Sequence, residues 1–100
     1  MTASPEALAL VAVAAQAASD KLADDIVAFD VSDQLVITDV FLVCSAANDR
    51  QVVSIVDEIE ERVRTQLGLK AVRREGDRDA RWVLLDFIDV VVILGADFKP

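Results

Sequence analysis

Three aspartates, Asp39, Asp86 and Asp89, are the residues of this chain best suited to form a metal-binding carboxylate cluster of the kind used in nucleotidyl transfer. Their setting argues against that chemistry. No Gly-Ser phosphate loop precedes a strand, and no Asp-x-Asp pair sits on one. Neither a phosphate-binding loop motif nor a nucleophile elbow is present. The chain has no His, which removes the commonest general base and the commonest metal ligand. Cys44 is the single cysteine, so an internal disulfide is impossible. Within Phe41-Leu42-Val43-Cys44-Ser45 it reads as a small buried core residue rather than a nucleophile. We therefore expect no catalytic residue, no cofactor and no metal.

A second set of residues suits recognition. The stretch RWVLLDFIDVVV, residues 81–92, holds the only Trp among Val, Leu, Ile and Phe. Alternation along a strand sends Arg81, Val83, Leu85 and Phe87 one way and Trp82, Leu84 and Asp86 the other. A carboxylate among apolar neighbours needs a partner. Either Trp82 covers the edge of the core while Asp86 pairs with a nearby Arg, or this face is a binding surface. Trp is a favoured anchor at interfaces, and an acid beside it would engage a basic partner.

The elements that must position these residues are legible in outline. Ser4-Pro5-Glu6 opens a helix, with Ser as cap, Pro in the first turn and Glu at the positive dipole end. This helix is expected over Pro5–Leu22, with Leu8, Val11, Ala15, Ala18 and Leu22 on the buried face. Its many alanines suggest close packing on a sheet. Strands are expected over Asp25–Val31 and Ile37–Ser45, antiparallel across the turn Ser32-Asp33-Gln34. Val40–Cys44 is apolar without alternation, as for a central strand covered on both faces. Asn48 and Gln51 have capping-box spacing for a second helix running to Gln66. Its buried stripe is Val52, Ile55, Val56, Ile59, Val63 and Leu67. Glu58–Arg62 and Glu60–Arg64 pair on the wet side, and Gly68 ends the helix. Leu69–Arg74 reads as a near-edge strand reached by a right-handed crossover. Glu75–Ala80 reads as a charged loop, with Glu75-Gly76 most simply a turn. Arg81–Phe87 and Val90–Leu94 are the last strands, joined by a tight turn or bulge at Ile88-Asp89. The expected architecture is one α/β domain over residues 1–100, a mixed sheet of about five strands in the order α-β-β-α-β-β-β.

Composition narrows the function classes. With 100 residues and 54% apolar content, the chain suits a single small folded domain. Its formal charge of −8 makes it a poor direct ligand for nucleic acid and a good one for a basic protein. Residues 7–18 are apolar, but no Lys or Arg precedes them as in a signal peptide, and the run is too short to span a membrane. A cytoplasmic protein is expected.

Taken together, ITDVFLVCSAANDRQV (37–52), RREG (73–76) and RWVLLDFIDVVV (81–92) resemble the ribosomal silencing factor, or Iojap, family. The match in order and spacing covers roughly residues 5–92. The resemblance implies a fold similar to nucleotidyltransferases without their activity. It implies binding to the large ribosomal subunit through its fourteenth protein, which would block joining with the small subunit when nutrients are scarce. Homodimers are implied for some members. By position, the family's Trp and Asp fall on Trp82 and Asp86, its Thr-Asp on Thr38-Asp39 and its Glu-Gly on Glu75-Gly76. The candidate partner-binding set is therefore Trp82, Leu84, Asp86, Asp39, Thr38 and Glu75. The alternatives are a nucleotidyltransferase-like enzyme and a dimerisation module with no ribosomal role.

The family pattern continues past Asp-Val-Val-Val with a His and a further helix, where this chain reads VVVILGADFKP. Without that helix, apolar surface is expected around Val90–Leu94 and Phe98, with unpaired backbone on the last strand if it lies at the edge. A symmetric homodimer or an exchanged C-terminal strand would cover both.

Overall fold

The computed structural model describes residues 3–76, 78–79 and 81–96. The first helix, α1, spans Pro5–Asp20; Ser4 caps it, its Oγ accepting from the Ala7 amide at 3.1 Å. It stops before Leu22, whose backbone turns to a φ of 65°. The buried face carries Ala7, Leu10, Ala14, Ala17 and Ala18, so of the expected face only Ala18 is fully buried. Leu8 and Leu22 point to solvent. The cause is weak amphipathicity: a helix apolar on nearly every side does not declare its phase by periodicity. Its alanines let α1 lie close against the second helix, α2, as well as on the sheet.

Helix α2 spans Asp49–Leu67 and has the stripe its sequence announces: Val52, Ile55, Val56, Ile59 and Val63 are fully buried. Gly68 closes it in the left-handed conformation, at a φ of 69°. Asn48 accepts from the Gln51 amide at 2.9 Å, but the box is not reciprocal. Gln51 Oε1 instead takes the Ala47 amide, and its Nε2 donates to the carbonyls of Lys21 and Leu22. Gln51 thereby ties the end of α1 to the start of α2. On the wet side Arg62 pairs with Glu58 at 2.7 Å as expected. Arg64 pairs with Glu61 rather than Glu60, because Arg74 reaches across to take Glu60 at 2.6 Å.

Five strands complete the domain: β1 Asp24–Asp30, β2 Val40–Ser45, β3 Arg73–Gly76, β4 Trp82–Asp86 and β5 Val90–Gly95. They form one mixed sheet in the order β1-β2-β5-β4-β3, where β2 and β5 are parallel and the other pairs antiparallel. The α/β class and the element order α-β-β-α-β-β-β are as expected.

Three expectations are corrected. The third strand begins at Arg73, not Leu69, and includes Glu75 and Gly76, which sequence assigned to a loop. Its place at the edge of the sheet is as its polarity leads one to expect. The last strand is central, so its backbone is paired on both sides, and Val90, Val92 and Leu94 are fully buried. Phe98 lies outside the described residues. The edges belong to β1, which carries Asp24, Asp25, Asp30 and a bulge, and to β3, which carries Arg73, Arg74 and Glu75. Charges and bulges of this kind discourage strand exchange.

The third correction concerns coverage. Helix α1 packs on β1, β2 and β5, and α2 on β4 and β5, with the helices against each other. Burial along β2 and β5 alternates between full and partial. Among the described residues the sheet is covered on one face only, and β2 is apolar on both.

Candidate functional site: the open sheet face

Residues paired across neighbouring strands share a face. Strand β4 sets Trp82, Leu84 and Asp86 outward, and the register continues their row into β5 at Ile93 and Val91. From there it passes to Val43 and Phe41 on β2, then to Val27 and Phe29 on β1. None of these eight apolar side chains is fully buried, although on β2, β4 and β5 their strand neighbours on the covered face are. Trp82 keeps 39% of its surface exposed and Phe29 48%, too much for a mere rim over the core. Contiguous apolar surface of this kind is characteristic of interaction sites.

The β3 side of this face is polar. Glu75 lies opposite Leu84, and Arg73 opposite Asp86. Arg73 bridges two acids, Nη2 to Asp86 Oδ2 and Nη1 to Glu75 Oε1, each at 3.3 Å. The other oxygen of Asp86 accepts from the Ile88 amide at 2.8 Å. Asp86 therefore has its Arg, and Trp82 faces outward. Gly76 is required by the close approach of β3 to β4, since a Cβ there would meet the Trp82 carbonyl oxygen at 2.6 Å.

Thr38 and Asp39 stand apart from these four. Thr38 is buried and its hydroxyl donates to the Ile88 carbonyl at 3.0 Å. The Asp39 carboxylate accepts from the Ser4 amide at 2.8 Å, and its own amide donates to the Asp89 carbonyl at 2.8 Å. The pair thus joins the start of α1 and the start of β2 to the β4–β5 turn. Asp39, Asp86 and Asp89 do not converge as a metal site; among the described residues no group of three or more acids, His or Cys could hold an ion. Cys44 is fully buried, and burial pushes its thiol up to about 12.

Sequence reasoning missed Val27, Phe29, Phe41, Val43, Val91 and Ile93. A signal was available. Two helices of this size cover one face of a five-stranded sheet, so apolar residues on both sides of β2 and β5 leave one side open. Arg73 was missed because its partners depend on the register of β3.

A two-layer α/β domain with an apolar, acid-flanked sheet face has the make-up of a binding module. The chain belongs to the ribosomal silencing factor family: the family model described as "ribosomal silencing factor during starvation" matches residues 4–95. It is 41% identical over 80 residues to the ribosomal silencing factor RsfS of Bacillus subtilis, covering 80% of this chain and 67% of that protein. Identity to the RsfS of Halalkalibacterium halodurans is 39% over 83 residues, covering 83% and 70%. A crystal structure from Chromobacterium violaceum superposes with a TM-score of 0.83 at 26% identity, covering 89% of this chain and 73% of that one. One from Bacillus halodurans gives 0.80 at 35%, covering 89% and 82%. Among the described residues, no helix is long and apolar enough to cross a membrane.

Proposed function

We propose that this chain represses translation by binding the large ribosomal subunit through its fourteenth protein and blocking the joining of the small subunit under starvation. The observation that carries this reading is the open sheet face. Trp82 and Leu84 supply apolar anchors there, and Asp86 and Glu75 supply acid at its border. Ribosomal proteins are mostly basic, so a chain of charge −8 is attracted to one at long range. Silencing by occlusion needs no catalytic residue, cofactor or metal, only a surface and the bulk behind it. It would act in the cytoplasm, where ribosomes work. A second copy of the chain could occupy the same face, so a homodimer formed there, rather than by exchange of an edge strand, belongs to the proposal.

Sucrose-gradient sedimentation with purified large subunits tests the reading. The chain should travel with large subunits, and small subunits added afterwards should form fewer joined particles. A chain that stays at the top of the gradient, or rides on large subunits without affecting joining, would overturn it.

A further inference from the structure

We infer that the sheet end built from the β1–β2 loop and the β4–β5 turn is a second anchor for the same basic partner, with Val36, Ile37 and Ile88 as its apolar contacts. The inference rests on the reading above and extends it to a surface that the Trp82 face does not include.

Ile88 is the first observation. Its φ is 75°, in the left-handed region that a β-branched residue enters only as an outlier. Such a conformation persists where the surroundings over-determine it, and strain of this kind gathers at functional sites. The surroundings do so here. Asp86 Oδ1 holds the Ile88 amide at 2.8 Å, and Thr38 Oγ1 holds its carbonyl at 3.0 Å. On either side, the Phe87 amide donates to the Val90 carbonyl and the Asp89 amide to the Phe87 carbonyl. Gly or Asn would make this turn at lower cost. The Ile side chain gains little burial in return, since 53% of it stays exposed.

The second observation is the neighbouring loop. Val36 is 100% exposed and Ile37 76% exposed, immediately before the Thr38 whose hydroxyl holds Ile88. This loop is bonded in place. The amides of Gln34 and Leu35 both donate to the Val31 carbonyl, and those of Asp39 and Val40 to the Asp89 carbonyl. Three large apolar side chains thus stand exposed at one end of the sheet, with bonded backbone on either side of Val36-Ile37 and at Ile88.

Charge selects the occupant. Asp30, Asp33, Asp39, Asp86 and Asp89 all lie on the segments that make this end, with Arg73 drawn onto Asp86. Acid around an apolar cluster fits a protein surface that sets Lys or Arg around an apolar recess. A second copy would bring the same acids against these, which disfavours it. Asp86 belongs both to this turn and to the open face, so one partner could span the two.

The test compares Val36→Ser/Ile37→Ser and Ile88→Asn with wild type and Trp82→Ala, by titration against purified large subunits, together with thermal melts and light scattering. Each sheet-end variant should lose about tenfold or more in affinity, the scale of a real interface contact. Ile88→Asn should do so with an unchanged or higher melting temperature, because Asn tolerates the left-handed backbone. That opposite movement separates a binding role from a structural one. If the sheet-end variants bind like wild type while Trp82→Ala is weakened, the second anchor is wrong and the proposed function stands. If they change self-association alone, the occupant is a second copy and the inference is overturned. If wild type itself does not bind, both fall.

Discussion

Leu42 and Phe41 are adjacent in one strand, and Val92 and Val91 in the next, yet their fates differ. Leu42 and Val92 are sealed beneath the helices, while Phe41 and Val91 lie on the open face with part of their surface in water. The two faces are nearly alike in residue type. Val40, Leu42, Val90, Val92 and Leu94 build the covered one, and Phe41, Val43, Val91 and Ile93 the centre of the other. An apolar side chain loses about the same free energy to water on either face. The covered face recovers it on folding. The open face recovers only part of it on folding, and the rest when something else arrives. Strand composition thus reports which surfaces leave water in the working state, not which are covered by the chain's own helices.

The sharpest way to break this comparison is to truncate both faces. Leu42→Ala should destabilise the domain by about 2–5 kcal/mol, the usual range for a buried Leu. Phe41→Ala should cost clearly less, despite the larger side chain, because Phe41 is already partly solvated. Urea denaturation of the two variants gives the difference directly. Equal losses would mean that the open face is sealed in the free protein and that the two faces do not differ.

Next in size is the effect on binding. Trp82→Ala should weaken association with the ribosomal protein by roughly 2–4 kcal/mol, the range for a central aromatic anchor. Far-UV circular dichroism should stay unchanged, since Trp82 is 39% exposed and lies outside the helix-covered core. A folded variant with undiminished binding would remove the Trp82 face from the site.

The same contrast explains what could be read from sequence. The alternation Trp82-x-Leu84-x-Asp86 placed those three side chains on one face, because a strand of period two has no other option. The α2 stripe was equally legible, since its charged side leaves one phase open. The buried face of α1 lies a fraction of a turn from the one its periodicity suggests, because alanine carries no label for inside or outside; the docking against α2 decides it. The sequence pattern does not distinguish an open face from a covered one, because a second layer and a partner surface demand the same residues. Thr38 and Asp39 looked like contacts in the pattern. Their bonds to Ile88, Ser4 and Asp89 join segments far apart in the chain, which spacing does not disclose. Ile88 is more obscure still: nothing in its identity suggests a positive φ.

A smaller effect separates the charge of the open side from its apolar surface. Acidic residues should speed association with a basic partner, and salt should slow it as the screening length falls to about 8 Å at physiological ionic strength. Stopped-flow association from low to high salt should show a falling on-rate with little change in dissociation. A flat response would leave recognition to the apolar anchors and the −8 charge without a role in it.

The smallest effect belongs to the border of the covered side. The Asp30 carboxyl sits below its ordinary value because the Ser32 hydroxyl and amide, and then the Ala3 amide, donate to it. A depressed carboxyl stabilises the fold above its unfolded value, about 3.9, and the contribution is lost as pH falls through the lower folded value. Asp30→Ala should therefore be less stable than wild type near neutral pH, with the gap closing below about pH 3.9. Urea midpoints across that interval check the sign. Asp30 holds the segment leading into α1, so Trp82 fluorescence on the open face should not follow the change. A Trp82 signal that titrates with Asp30 would show that the two sides of the sheet are coupled, and would end their treatment as separate surfaces.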